Sequence, residues 1–193
     1  MTKIKICGLF READIEMVNM LQPEYIGFVF AKSPRRVTAE TARCLKRLLS
    51  PNIQTVGVFV NEDAHQVADL VHEGVIDMVQ LHGDEDDGYL QELKSLVSVP
   101  IIKKVAPDAD CEGTDYLLFD GASPGSGETF DWELIPPSQK EYFLAGGLNS
   151  GNVLAALSKK PYAVDVSSGV EVDGMKDFGE MKKFMERVRS VGG

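Results

Sequence analysis

The stretch Tyr25-Ile26-Gly27-Phe28-Val29-Phe30 carries no charge and no polar alternation. A run of this kind suits a strand buried on both faces rather than one with a solvated side. Val56-Gly57-Val58-Phe59-Val60 repeats the pattern further along the chain. Strands covered on both faces belong to parallel sheets sheathed by helices. Working outward, strands are expected at 3–7, 25–30, 54–60, 77–81, 101–105, 115–119, 142–145 and 162–166. Helices are expected between them at 12–21, 38–49, 63–74, 86–97, 149–158 and 176–190. Cap residues mark three of the starts: Thr38 before Ala39-Glu40-Thr41, Asn61 before Glu62-Asp63, and Asn149 before Ser150-Gly151-Asn152.

Eight βα-like units point to an α/β fold, a single compact (β/α)8 TIM barrel spanning 1–193. Segment 106–114 is short and polar, so the helix after the fifth strand is expected to be reduced or missing. Pro136-Pro137 keeps any helix in 130–140 brief. The alternative is an open doubly wound sheet. Against it, no GxGxxG follows the first strand, and the chemistry-bearing residues are spread over many strand ends rather than gathered at one switch point.

The bulk numbers bound the function. The 193 residues and 44% hydrophobic content suit one globular domain with a large core. A net charge of −10 argues against nucleic acid and anionic membranes as partners, and requires a local positive site for any phosphorylated ligand. Cys7, Cys44 and Cys111 are widely spaced and form no CxxC pair, which suggests neither a disulfide framework nor a metal site. No apolar run approaches the roughly 18 residues of a membrane span, and Met1 leads directly into the first strand. A reducing cytoplasmic setting is expected.

The strand exits carry the candidate chemistry. Cys7 ends Lys3-Ile4-Lys5-Ile6-Cys7 and precedes Gly8. Alternation puts Lys3, Lys5 and Cys7 on one face, so Lys5 is expected to favour the thiolate. Cys7 reads either as a base at the barrel mouth or as a small buried hydrophobe. Asp120 follows Tyr116-Leu117-Leu118-Phe119, where an acid either caps a turn or works in a site. The Gly-rich 121–127 after it suits a cover over a ligand. Of Arg35 and Arg36 after the second strand, one is expected to point inward and to meet a carboxylate, with a solvated basic loop as the alternative. Gln80 and His82 share a face at the fourth exit, and His82 stands as a rival base to Cys7. Gly146-Gly147 and Ser168-Gly169 follow the seventh and eighth strands, where barrels often bind phosphate through backbone N–H groups. Asp165, alternating with Val164 and Val166, is expected to face the interior.

Six segments taken together resemble the phosphoribosylanthranilate isomerase family of tryptophan biosynthesis. They are Lys5-Ile6-Cys7-Gly8, Ser33-Pro34-Arg35-Arg36, Val79-Gln80-Leu81-His82-Gly83, Gly125-Ser126-Gly127-Glu128-Thr129-Phe130-Asp131-Trp132, Leu144-Ala145-Gly146-Gly147-Leu148 and Ser167-Ser168-Gly169-Val170-Glu171. The resemblance runs the whole length of the chain. It implies an Amadori rearrangement with Cys7 as general base, Asp120 as general acid and Arg36 receiving the anthranilate carboxylate. It implies a small phosphorylated substrate and no cofactor, and it allows contact with other tryptophan-pathway enzymes. Two departures, Pro124-Gly125-Ser126-Gly127 in place of Gly-Gly-Thr-Gly and Asp120-Gly121 in place of Asp-Ser, bear on loop closure and substrate affinity rather than on proton transfer. Two other readings compete. A sugar-phosphate isomerase of the histidine pathway would carry two carboxylates, which Cys7 argues against. A silent phosphate-binding barrel would lack Cys7 or Asp120, and both are present.

Overall fold

A computed structural model of the protein describes residues 1–106, 113–121, 132–135 and 140–191. Eight parallel strands close on themselves in chain order: β1 (Lys3–Cys7), β2 (Tyr25–Val29), β3 (Gln54–Phe59), β4 (Met78–Leu81), β5 (Ile101–Lys104), β6 (Tyr116–Phe119), β7 (Tyr142–Leu144) and β8 (Ala163–Val166). The seam between first and last strand is in register, with Lys3 opposite Ala163 and Lys5 opposite Asp165. The barrel expected from the sequence is therefore the observed architecture.

Around it lie α1 (Glu12–Leu21), α2 (Ala39–Leu48), α3 (Ala64–His72), α4 (Asp87–Leu96), α5 (Val153–Leu157) and α6 (Phe178–Arg189). Side-chain oxygens start four of them: Thr38 accepts from the Thr41 N–H, Asp63 from His65 and Gln66, Asp86 from Tyr89, and Asp177 from Glu180. Two expected caps differ. Asp63, not Asn61, starts α3, while Asn61 takes a left-handed φ of 52° and receives the Asp84 N–H. The helix expected over 149–158 shrinks to Val153–Leu157 because Asn149 closes a turn instead. Its Oδ1 accepts from Gly151, and its own N–H donates to Asn152. The segment expected to hold a reduced helix after β5, and the Gly-rich cover after Asp120, lie largely in 107–112 and 122–131, outside the described residues; so does Pro136-Pro137.

One element was not expected. Residues 171–176 form a hairpin, β9 (Glu171–Val172) and β10 (Met175–Lys176), turning at Asp173-Gly174 with φ of 51° and 76°. Two successive positive φ values match the tight turn that Asp-Gly favours. The expected helix 176–190 accordingly begins only at Phe178.

Two apolar cores result. One lies between barrel and helices and includes Ile4, Ile6, Phe28, Phe59, Leu93 and Phe184. The other fills the barrel itself with Tyr25, Val56, Met78, Ile102, Leu118, Phe143 and Ala163. Below this filling, Lys3 Nζ donates to the Tyr162 and Tyr25 hydroxyls at 2.6 and 3.2 Å. Polar residues occupy the next interior positions along the same strands: Gln80 after Met78, Asp120 after Leu118, Asp165 after Ala163. The apolar plug thus gives way to a polar mouth at the C-terminal ends of the strands.

Candidate active site

A cavity of about 520 Å³ opens at that mouth. Cys7, Gln80, His82, Asp120, Gly146, Gly147, Asp165 and Ser168 all line it, so residues from five strand exits converge. The β2–α2 loop supplies one wall through Lys32, Ser33, Pro34 and Arg35.

Cys7 sits at the inner end of the cavity beside Gly27 of β2, its register partner. A Cβ at residue 27 would come within 2.6 Å of Cys7 Sγ, so glycine there makes room for the thiol. Burial pushes the thiol above its ordinary value, and the Lys5 ammonium offsets only part of this. Lys5 favours the thiolate, as alternation predicts, but desolvation outweighs the cation. Lys5 is itself fully buried and bonded to Asp165 Oδ2 at 2.6 Å. Burial raises the Asp165 carboxyl, with Lys5 opposing. Its second oxygen has no hydrogen-bond partner among the described residues, nor have Gln80 Oε1 and His82 Nε2. Three buried polar atoms at the rim of one cavity are groups that a ligand would satisfy.

Asp120 stands opposite, with its Oδ2 3.3 Å from His82 Nε2. The Gln80 amide nitrogen lies 3.3 Å from the other imidazole nitrogen of His82. Gly146 backs onto the acid: a Cβ there would lie 2.6 Å from the Gly121 nitrogen and 3.1 Å from Asp120 Oδ1. Gly146 and Gly147 take φ of 87° and 61°, which glycine adopts without strain. Neither amide has a hydrogen-bond partner among the described residues. Ser168 and Gly169 open a 3₁₀ turn, Ser168–Val170. Gly169 is not on the cavity wall; its Cα packs against the Leu148 carbonyl so closely that no side chain fits.

The two arginines part company. Arg35 lies on the cavity, but its Nε and Nη2 donate to the two oxygens of Glu171, both at 2.6 Å. Arg36 is exposed, does not line the cavity, and has no ion-pair partner among the described residues. Sequence reasoning missed the group that separates them. Glu171 also takes Lys176 Nζ at 2.6 Å, and the buried Lys176 reaches the Ser167 carbonyl at 3.0 Å. Ser167 Oγ in turn donates to the Cys7 carbonyl at 3.1 Å. The Asp173-Gly174 dipeptide was the available signal, since its hairpin brings Glu171 and Lys176 into register.

The chain matches the family profile described as "N-(5'phosphoribosyl)anthranilate (PRA) isomerase" over residues 4–187. It is 42% identical over 200 residues to the N-(5'-phosphoribosyl)anthranilate isomerase of Endomicrobium trichonymphae, covering 99% of this chain and 100% of that one. With the enzyme of the same name from Clostridium acetobutylicum it shares 44% identity over 202 residues, at 98% of each chain. Among solved structures, the phosphoribosyl anthranilate isomerase of Thermus thermophilus superposes with a TM-score of 0.89 at 30% identity, over 98% of this chain and 100% of that one. A further isomerase structure, in complex with reduced 1-(o-carboxyphenylamino)-1-deoxyribulose 5-phosphate, gives 0.83 at 32% identity, over 98% and 100%.

Proposed function

Because the chain belongs to the N-(5'-phosphoribosyl)anthranilate isomerase family, an isomerase family of tryptophan biosynthesis, we propose that Cys7 and Asp120 are the base and acid of its rearrangement. One observation carries the reading: a thiol and a carboxylate from distant parts of the chain line the same cavity as a glycine turn whose amides have no hydrogen-bond partner among the described residues. The substrate class is a ribosylamine phosphate bearing an aromatic carboxylate.

Asp120 donates a proton to the furanose ring oxygen, and the C1–O bond breaks to give an iminium. Cys7 then removes the proton from C2. The electron pair moves into the C1–C2 bond and neutralises the iminium nitrogen, giving an enolamine. Tautomerisation yields the ketose. The iminium serves as the electron sink, so the chain's own acid and base suffice for each step. The raised thiol is mostly protonated at rest, so C2 deprotonation runs from its thiolate fraction. That fraction takes up the C2 proton to become the thiol, and is the stronger base for being raised. Gly146 and Gly147, with Ser168, cradle the phosphate through backbone amides, while Gly169 lies off the cavity wall and serves only to pack the turn. Gln80, His82 and Asp165 offer their unpartnered atoms to the ribose hydroxyls. The family resemblance gives the carboxylate to Arg36, exposed next to the Arg35 that lines the wall and is paired with Glu171.

The test is turnover of freshly prepared phosphoribosylanthranilate, followed by loss of its fluorescence. Wild type should turn over, while Cys7→Ser and Asp120→Asn should each lose about 10²–10⁴-fold in kcat with unchanged urea midpoints. Asn keeps the shape and hydrogen bonding of a capping acid but transfers no proton, so it separates the two readings of Asp120. A Cys7→Ser enzyme retaining more than about a tenth of kcat would move the base to His82.

A further inference from the structure

Arg35 and Arg36 are adjacent, equally charged and on the same loop, yet only Arg35 has an ion-pair partner among the described residues. Arg35 is held at both ends. Its stem passes over Gly8, where a Cβ would sit 2.6 Å from Arg35 Cδ. Its guanidinium meets Glu171 in a two-point pair at 2.6 Å, with 19% of the Arg35 side chain and 5% of the Glu171 side chain exposed. Planar pairing of this kind is geometrically specific and fixes both partners. The other side of Glu171 is equally constrained. Lys176, with its side chain fully covered, donates to the same carboxylate oxygen as Arg35 Nε. Burial works against the Glu171 carboxylate, but the hydrogen bonds from Arg35 and Lys176 outweigh it and hold the carboxyl below its ordinary value. The hairpin therefore presents a committed anion to the β2–α2 loop.

We infer that Glu171 is a specificity-determining positioning residue: by occupying the Arg35 guanidinium in a two-point ion pair at the cavity wall it keeps that arginine from binding the substrate and leaves Arg36 to receive the substrate carboxylate. This rests on the reading that Arg36 meets that carboxylate. It goes further by naming the group that chooses between two neighbouring arginines. Without Glu171, Arg35 would be an unpaired cation already lining the cavity, competing for the same anion.

The experiment measures kcat and KM with two ligands, phosphoribosylanthranilate and the analogue carrying aniline in place of anthranilate. Five forms are compared: wild type, Arg36→Ala, Arg35→Met, Glu171→Gln and the double variant Glu171→Gln with Arg36→Ala. Arg36→Ala should raise KM for the carboxylated substrate by roughly 10–100-fold and leave the analogue nearly unaffected. If it affects both equally, the carboxylate reading itself fails, whatever Glu171 does. If it behaves as expected, the double variant should regain at least threefold in KM over Arg36→Ala, on the carboxylated ligand alone, because the released Arg35 substitutes. Losses that simply multiply in the double variant would overturn the proposal. Arg35→Met leaves Glu171 paired with Lys176 and guards against a folding artefact in the Gln variant. It should change kcat/KM by the same factor on both ligands. A loss confined to the carboxylated ligand would mean that Arg35 already contacts it, and would equally overturn the proposal. Glu171→Asp, which keeps the charge but shortens the reach to Arg35, should give the same rescue in the Arg36→Ala background if Gln does not fold.

Discussion

Cys7 faces opposed influences within one small volume. Burial disfavours its thiolate, Lys5 favours it, and the neighbouring Asp165 disfavours it again. The balance leaves the thiol above its ordinary value of about 8.5. The base form is therefore scarce at neutral pH and grows as pH rises, so kcat should climb through the range above pH 7. Lys5→Met removes the nearer cation on its strand face and takes away the ion-pair partner of Asp165. Both changes oppose ionisation, so the alkaline rise should move to higher pH. A pH–rate profile of the two enzymes checks this, with circular dichroism confirming that the variant is folded. A rise at the same or a lower pH would show that Lys5 has no hold on the base.

Elements set how closely the strand exits approach each other, and β2 does so through an absence. Gly27 leaves room for the thiol, so Gly27→Ala should push Sγ aside; the new Cβ would also meet Cys7 Cα at 3.1 Å. Misplacement by about 1 Å costs up to about 10²-fold in rate, and a tenfold or larger fall in kcat is expected. Gly57→Ala provides the control. It crowds the Phe59 ring and Ile76 at 2.8 Å, between barrel and helices, so it should lower the urea midpoint with kcat kept. Equal kcat losses in both would mean that the effect is general strain. The strands were legible because parallel strands sheathed on both faces read as apolar runs whatever their neighbours. Their polar exits were legible because strand alternation assigns a side chain to inside or outside. The hairpin was not, because Glu171 and Lys176 look like ordinary surface charges until the Asp173-Gly174 turn places them over Arg35. Nor was the short α5, because Asn149 caps either a helix or a turn, and the choice depends on the Gly147 carbonyl receiving the Asn149 and Asn152 amides. The raised thiol was missed for a similar reason: pairing of Lys5 can be read from alternation, but depth cannot.

At the scale of the whole molecule, the closed barrel separates two jobs along its axis. The polar mouth carries the ligand-facing groups, and the apolar plug beneath it keeps eight strand exits at fixed separations. Phe143 is the centre of that plug. It is fully buried, and its ring centroid lies 5.5–5.6 Å from those of Tyr25 on β2, Tyr116 on β6 and Tyr162 just before β8. Burial and hydrogen bonding to Tyr162 push the Tyr116 hydroxyl up to about 12, so this hydroxyl stays neutral across the working range. Phe143→Ala removes the shared partner of three rings and leaves a void that the closed sheet cannot collapse to fill. Substitutions of this type cost about 3–5 kcal/mol, a large share of the roughly 5–15 kcal/mol that stabilises a typical domain. At about 2–4 °C per kcal/mol for a chain of this size, the melting temperature should fall by roughly 10 °C. Because Phe143 does not itself line the cavity, the fraction that remains folded at 20 °C should keep a KM within about twofold of wild type, while Gly27→Ala should not. Calorimetry and steady-state kinetics on the two variants decide the point. A Phe143→Ala enzyme with an unchanged melting temperature would mean that the helix-facing core alone holds the barrel closed.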